Sequence, residues 1–366
     1  MLWKLRVVVA LAVLTSASIL SATPASADPI RDKQWYLRSL NIVTANRLSA
    51  GVGEIVAVVD TGIDPHPDLH NNLLRGISIL PGAIRDGRED PDGHGTEMAS
   101  LIAGHGRPNQ SGIVGIAPSA KLLPVRTFDV ETRVGSAAAA AGIEWAARHG
   151  ANIINFSGAV GPSLELQSAV GLASAMNVLV VAAAGNKGQD ITAAYPASMR
   201  GVLAVGASDR LGNPAELTRP SPSVQLCAPG VDIESAFPGG KYWNGSGTSE
   251  ATAIVSGAAA LVRAKFPQLS AQEVIHRLTA TATDIGEPGR DDECGYGVLN
   301  IVKALTADVP PLIPATKSSI PQAQASTPSA GDQRNGGPAL FLVAGAVAVL
   351  IGVLAAVVLR RRGKSS

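Results

Sequence analysis

Four short segments carry side chains with complementary chemistry: Asp60-Thr61-Gly62, His94-Gly95-Thr96, Gly185-Asn186 and Gly247-Thr248-Ser249. A carboxylate, an imidazole, a carboxamide and a hydroxyl are the parts of a hydrolase built on a serine nucleophile. In such a scheme His94 takes the proton of the Ser249 hydroxyl as it attacks a peptide carbonyl and later returns it to the leaving amine, while Asp60 orients and stabilises the imidazolium. The Asn186 carboxamide and the Ser249 backbone N–H would receive the oxyanion, and losing one such donor typically costs about 3 kcal/mol of barrier. This chemistry calls for no metal and no organic cofactor.

Taken singly, each segment has a plainer reading. Asp before Gly at a strand end is common turn chemistry, and Asp-Thr-Gly also occurs in aspartic proteases. His94 is one of six histidines, and His66, His70, His105, His149 and His276 are alternatives. Ser249 reads equally as a helix N-cap in a glycine-rich turn, and Asn186 as a turn residue before Lys187-Gly188. Their joint occurrence, in the order Asp, His, Asn, Ser, is what favours a single active site.

The elements that must position these residues follow from the apolar pattern. Short β-branched runs at 54–59, 121–125, 153–156, 178–183 and 202–205 read as buried core strands, and 136–149, 164–176 and 270–279 as helices. A run of small and apolar residues over 251–262 reads as a buried helix with Ser249 at its N-terminus, where free N–H groups face developing negative charge. Strands alternating with helices predict one α/β domain with a mainly parallel sheet between helices. Asp60, Ser157 and Asn186 each lie where such a strand ends, the side on which open α/β sheets bind ligands.

The remaining sequence speaks to location. A net charge of +1 over 366 residues gives no reason to expect nucleic-acid binding. Lys4 and Arg6, an apolar run over 7–14 and Ala25-Ser26-Ala27 make 1–27 a secretory signal peptide, with an uncleaved anchor as the alternative. Residues 28–50 form an N-terminal extension and 51–305 the catalytic domain. Residues 306–338, rich in Pro, Ser and Ala, read as an extended tether. The uncharged stretch 339–359 is long enough to cross a bilayer as one helix, and the basic tail 360–366, with Arg360, Arg361, Arg362 and Lys364, favours the cytoplasmic side. The expected location is the cell membrane, single-pass, with the folded part extracellular. Cys227 and Cys294, an even count in an exported chain, favour one disulfide over free thiols.

The residues around the candidate triad resemble the subtilase family: Val58-Val59-Asp60-Thr61-Gly62-Ile63, Asp92-Gly93-His94-Gly95-Thr96, Ala183-Ala184-Gly185-Asn186 and Gly247-Thr248-Ser249. The resemblance implies a subtilisin-like three-layer fold, endopeptidase activity, Asn186 as oxyanion donor, and Asn155-Phe156-Ser157-Gly158 as a strand that lines the substrate, with Ser157 and Gly158 as binding residues. The overall layout is similar to that of the mycosins, membrane-anchored subtilases of actinobacterial type VII secretion systems, whose mature N-terminus the segment Ile30 to Leu37 also resembles. That likeness implies exported protein or peptide substrates and a secretion membrane complex as partner.

Departures from the family pattern fall close to the nucleophile. Glu250 follows Ser249 where a hydrophobic residue is usual, and Ala253 stands in place of Pro. Glu250 would raise the pKa of His94 if the two are close, or else face solvent or a partner. Gly158 replaces a larger apolar residue, so substrate preference does not transfer. Residues 28–50 are too short for a folded inhibitory propeptide, and Asp291-Asp292-Glu293 reads as a solvated loop rather than a calcium site. A non-enzymatic alternative is a structural subunit that stabilises a membrane secretion complex.

Overall fold

The computed structural model describes residues 28–80, 86–108, 110–129, 135–188 and 194–312. The signal-peptide and membrane-span segments, 1–27 and 339–359, fall outside the described residues, as does most of the expected tether. Among the described residues no helix is long and apolar enough to cross a membrane.

Seven strands form one parallel sheet: β1 (Ile55–Asp60), β2 (Ile77–Ser78), β3 (Lys121–Arg126), β4 (Ile153–Phe156), β5 (Leu179–Ala183), β6 (Leu203–Ser208) and β7 (Leu226–Pro229), in the order β2-β3-β1-β4-β5-β6-β7. Their near-continuous apolar character suits strands covered on both faces. Successive residues of β1 divide between two cores. Ala57 and Val59 pack toward α5 (Ser136–Arg148) and α6 (Leu164–Ala175), while Val56 and Val58 pack toward α4 (His94–Ala103) and α7 (Thr248–Lys265). The result is the expected three-layer subtilisin-like arrangement. Buried α7 is rich in Ala, Gly, Ser and Thr, whose small side chains let it lie close under the sheet.

Several elements had no clear signal in the sequence. The strands β2 and β7 are short, and β8 (Ile233–Phe237) with β9 (Lys241–Gly245) form a separate antiparallel hairpin that leads directly into α7. After α8 (Ala271–Ala280), helix α9 (Ile301–Thr306) extends one residue into the segment expected to be tether. The N-terminal extension is not a loose lead-in but three short helices, α1 (Pro29–Lys33), α2 (Trp35–Ser39) and α3 (Ile42–Leu48).

The extension docks by side chains that bond to backbone groups of the domain. Asp28 caps α1 and accepts the Gly112 N–H at 2.7 Å; Gln34 accepts from the Val114 N–H at 3.1 Å and donates to its carbonyl at 2.9 Å. Trp35 donates to the Asp232 carbonyl at 3.0 Å, and the buried Tyr36 hydroxyl to the Glu234 carbonyl at 3.0 Å. These bonds pair groups that burial would otherwise leave unsatisfied.

At the far edge of the sheet, β7 is covered rather than left open. The Cys227 N–H donates to the Gly297 carbonyl at 2.9 Å and its carbonyl accepts from the Leu299 N–H at 2.8 Å, while Cys227 and Cys294 form a disulfide. The returning segment thereby blocks an edge that would otherwise offer free pairing groups. The bridge closes a loop with a sequence separation of 67 residues. Chain-entropy arguments assign such a loop about 4 kcal/mol. Replacing both cysteines by alanine is therefore expected to lower the unfolding free energy by about that much, as read from urea titrations of the two proteins under non-reducing conditions; an unchanged midpoint refutes a stabilising role.

Candidate active site

Asp60 is the last residue of the central strand β1 and is fully buried. Its Oδ1 accepts the Thr61 N–H at 2.8 Å and lies 2.8 Å from His94 Nδ1. His94 opens α4, and its side chain remains about one-third exposed, at 32%. The imidazole therefore bridges a buried carboxylate and the solvent-accessible cleft. Burial alone disfavours its charge, but the Asp60 carboxylate, aided by Glu250 and Glu97, outweighs that cost and pushes the His94 pKa up to about 10.

A second buried carboxylate determines where His94 sits. Asp90 Oδ1 accepts from the Thr61 hydroxyl and the Gly93 N–H, each at 2.8 Å, and its Oδ2 from the Thr96 N–H at 2.8 Å and the Thr96 hydroxyl at 2.6 Å. Thr61 in turn accepts the Gly95 N–H at 2.9 Å, so the end of β1 and the first turn of α4 share one network. Gly93 precedes the helix with φ 103°, and a Cβ there would lie 2.2 Å from the Phe237 ring, so glycine is required on both counts. In sequence, Asp90-Pro91-Asp92-Gly93 has the composition of an ordinary turn. The signal that Asp90 does more was its position just ahead of a helix start.

Ser249 is in the first turn of α7, delivered there by the β8–β9 hairpin. Its hydroxyl donates to the Ser157 carbonyl at 2.8 Å rather than to His94, and the Ser157 hydroxyl donates back to the Ser249 carbonyl at 3.1 Å. Asn155, buried in β4, donates to Ser157 Oγ at 3.0 Å and accepts from the Ser256 hydroxyl of α7 at 3.0 Å. This links the end of β4 to the nucleophile helix. Asn155 belongs to the stretch that the resemblance makes a substrate-lining strand, and its bond to α7 is a role that the resemblance does not imply.

Asn186 follows the end of β5, and its Oδ1 accepts from the Thr248 N–H at 3.0 Å and the Thr248 hydroxyl at 3.1 Å. Those bonds turn the amide nitrogen toward Gly247, where a Cβ would lie 3.3 Å from Asn186 Nδ2 and 3.6 Å from the Ser249 nitrogen. Two N–H donors thus flank one point beside the nucleophile. Gly158 lies just past β4, with the Phe128 ring only 2.9 Å from where its Cβ would be, so Phe128 occupies the space that a larger residue at 158 would need.

The structure therefore brings Asp60, His94, Asn186, Ser157 and Ser249 together at the carboxyl ends of β1, β4 and β5 and the starts of α4 and α7. The other five histidines lie elsewhere in bonding terms. His66, for example, is buried with Nε2 3.1 Å from the Lys241 carbonyl and Nδ1 accepting the Asp68 N–H. Among the described residues no group of three or more His, Cys, Asp or Glu side chains is arranged to hold a metal ion.

The site decided one open question outright. Glu250 does not face solvent; it is buried, with 6% exposure, and so is Glu97, at 7%. Burial pushes the Glu97 carboxyl up to about 8, with Glu250 adding to the shift and His94 opposing it, and burial likewise raises Glu250.

Removing the Asp90 carboxylate strands several buried donors at once. Asp90→Ala is expected to cost on the order of 3 kcal/mol of stability, measured by urea unfolding, with Asp90→Asn losing less. A variant as stable as the wild type would show that Asp90 does not hold the helix start.

The sequence profile of the Subtilase family matches residues 51–297. Subtilisin BL from Lederbergia lenta is 41% identical over 242 residues, covering 66% of this chain and 87% of that protein. Subtilisin DY from Bacillus licheniformis is 36% identical over 272 residues, covering 72% of this chain and 96% of that protein. Among solved structures, MycP1 with the N-terminal propeptide removed superposes with a TM-score of 0.71 at 32% identity, covering 76% of this chain and 98% of that one. MycP1 from Mycobacterium smegmatis does so at 0.70 and 29%, covering 80% and 88%. Mycosins are thus among the structural neighbours, in keeping with the resemblance read from the sequence. The chain belongs to the subtilase family and is a subtilisin-like serine endopeptidase.

Proposed function

We propose that this chain is a mycosin-like endopeptidase held in the cell membrane by residues 339–359, with its catalytic domain outside, where it cleaves exported proteins at a type VII secretion complex. The observation that carries the catalytic part is the 2.8 Å contact between Asp60 and His94 beside Ser249. In this reading Ser249 is the nucleophile. A turn about χ1 takes its hydroxyl from the Ser157 carbonyl to neutral His94, which removes the proton as Oγ attacks the scissile carbonyl. Asp60 holds the resulting imidazolium. The Asn186 amide and the Ser249 N–H receive the oxyanion, and His94 then returns the proton to the leaving amine. Ser157 and Gly158 border the bound peptide.

The location and partner rest on other grounds. The uncharged stretch 339–359 followed by three arginines supports a single span with a cytoplasmic tail. Another solved structure is of the serine protease MycP1, an essential component of the type VII (ESX-1) secretion system, and this chain resembles it at 32% identity with a TM-score of 0.70.

Intact cells producing the chain can be treated with a membrane-impermeant fluorescent fluorophosphonate at neutral pH and again near pH 10, where His94 is about half deprotonated. Wild type is expected to label from outside, Ser249→Ala and His94→Ala not at all, and a chain ending before residue 339 to label in the medium. A folded chain that stays unlabelled throughout overturns the enzymatic reading in favour of a structural subunit; labelling only after lysis overturns the orientation. For the oxyanion assignment, Asn186→Leu is expected to lower kcat by about 100- to 1000-fold with little change in KM, and an unchanged kcat would remove Asn186 from that role.

A further inference from the structure

Glu97 and Glu250 are placed where their charge must act on the catalytic base. Glu97 lies three residues after His94 on α4, on the same face of the helix. Glu250 directly follows Ser249. The two carboxylates approach each other at the end of the β8–β9 hairpin, where a Cβ on Gly245 would lie 2.3 Å from Glu250 Oε1 and 3.4 Å from Glu97 Oε2. A Cβ on Gly247 would lie 2.8 Å from Glu250 Oε2, close to the point that the Asn186 and Ser249 nitrogens flank.

Apart from the imidazole, only neutral groups among the described residues offset this charge, chiefly the N–H groups of the first turns of α4 and α7, in which the two glutamates lie. His94 is approached by Asp60 from β1, by Asp92, whose Oδ1 accepts the His94 N–H at 3.2 Å, by Glu97 from α4 and by Glu250 from α7, with Asp90 buried one turn away. The hairpin contributes only the Ser235 hydroxyl, 3.4 Å from Glu97 Oε2. Among the described residues no Lys or Arg forms an ion pair with any of these five acids. Buried carboxylates without a cation are costly, so they either keep a proton or draw one onto His94.

The Ser249 hydroxyl is not bonded to His94 in this structure; it donates to the Ser157 carbonyl.

We propose that Glu97 and Glu250 are positioning residues acting through His94: once ionised, they hold the proton on its imidazole and so raise the pH at which the ring becomes available as a base. The inference rests on the serine-protease reading and deepens it as regulation of the same site. The ring becomes available through loss of the Nε2 proton to solvent as the pH rises, or through neutralisation of the pair.

The test follows His94 directly and then catalysis. In the full-length chain labelled with 13C at histidine Cε1, the His94 signal is identified by its loss in His94→Phe and titrated in wild type, Glu97→Gln and Glu250→Gln. Each substitution removes a negative charge, so each is expected to lower the His94 midpoint, with Glu250→Asp staying near wild type. The ascending limb of kcat/KM for an uncharged peptide should move to lower pH in parallel, and each unit of displacement gives about a tenfold gain below the limb. A purely structural role for the glutamates would lower kcat without moving either profile. The two variants are independent, so a folding failure in one leaves the other to decide. Midpoints unchanged from wild type in every folded variant overturn the proposal. If no chain hydrolyses peptide at any pH, the protease reading fails, while the His94 titration still decides whether the glutamates hold its proton.

Discussion

The contact between Asp60 and His94 is the constraint around which the active-site half of the molecule is arranged. A carboxylate buried at the end of the central strand, bonded to one backbone N–H and one imidazole, is tolerable only if that imidazole arrives in a fixed place and orientation. The first turn of α4 must therefore be anchored to the end of β1. Asp90 does so by gathering donors from Thr61, Gly93 and Thr96, and Gly93 permits the sharp backbone entry under the Phe237 ring. Each part is ordinary hydrogen bonding; their shared target is the angle at which one ring meets one carboxylate.

The nucleophile is positioned by a different route. Ser249 comes from the hairpin and α7, whose small side chains allow it to run beneath the sheet, and it is registered against β4 and β5 by Ser157, Asn155 and Asn186. The base and the nucleophile thus sit on separate helices on one side of the same sheet. Packing of α4 and the hairpin joins them, with the Ser100 hydroxyl accepting the Ala236 N–H at 2.9 Å. The N-terminal extension grips this same hairpin through Trp35 and Tyr36, so residues outside the family profile brace the strand pair that carries Ser249 into place.

Charge around the site is lopsided. Three carboxylates, from β1, α4 and α7, act on a single imidazole, and the Ser249 hydroxyl turns to a carbonyl instead. The same feature that holds His94 so firmly, negative charge shielded from water, also raises the pH at which the ring can act as a base. Firm positioning and ready deprotonation pull in opposite directions here, and Glu97 and Glu250 add to the first at the expense of the second.

Much of this was legible in the sequence because it depends on local pattern. The β-branched runs identify β1, β3, β4, β5 and β6 to within a few residues, since strands buried on both faces have little choice of composition. Asp60, His94, Asn186 and Ser249 stood out because their neighbours restrict backbone shape at strand ends and helix starts. Short or polar elements carried no such signal: β2, β7, the β8–β9 hairpin with its exposed Trp243, and the three helices of 28–50 owe their form to what they pack against. Pairing of Cys227 with Cys294 followed from compartment and an even count, whereas its use to close the edge at β7 required the chain to fold. The direction in which Glu250 points could not be read at all. A side chain's burial depends on the elements that close over it, and only the meeting of α4, α7 and the hairpin put that carboxylate beside Glu97 and turned a substitution in sequence into a charge on the catalytic base.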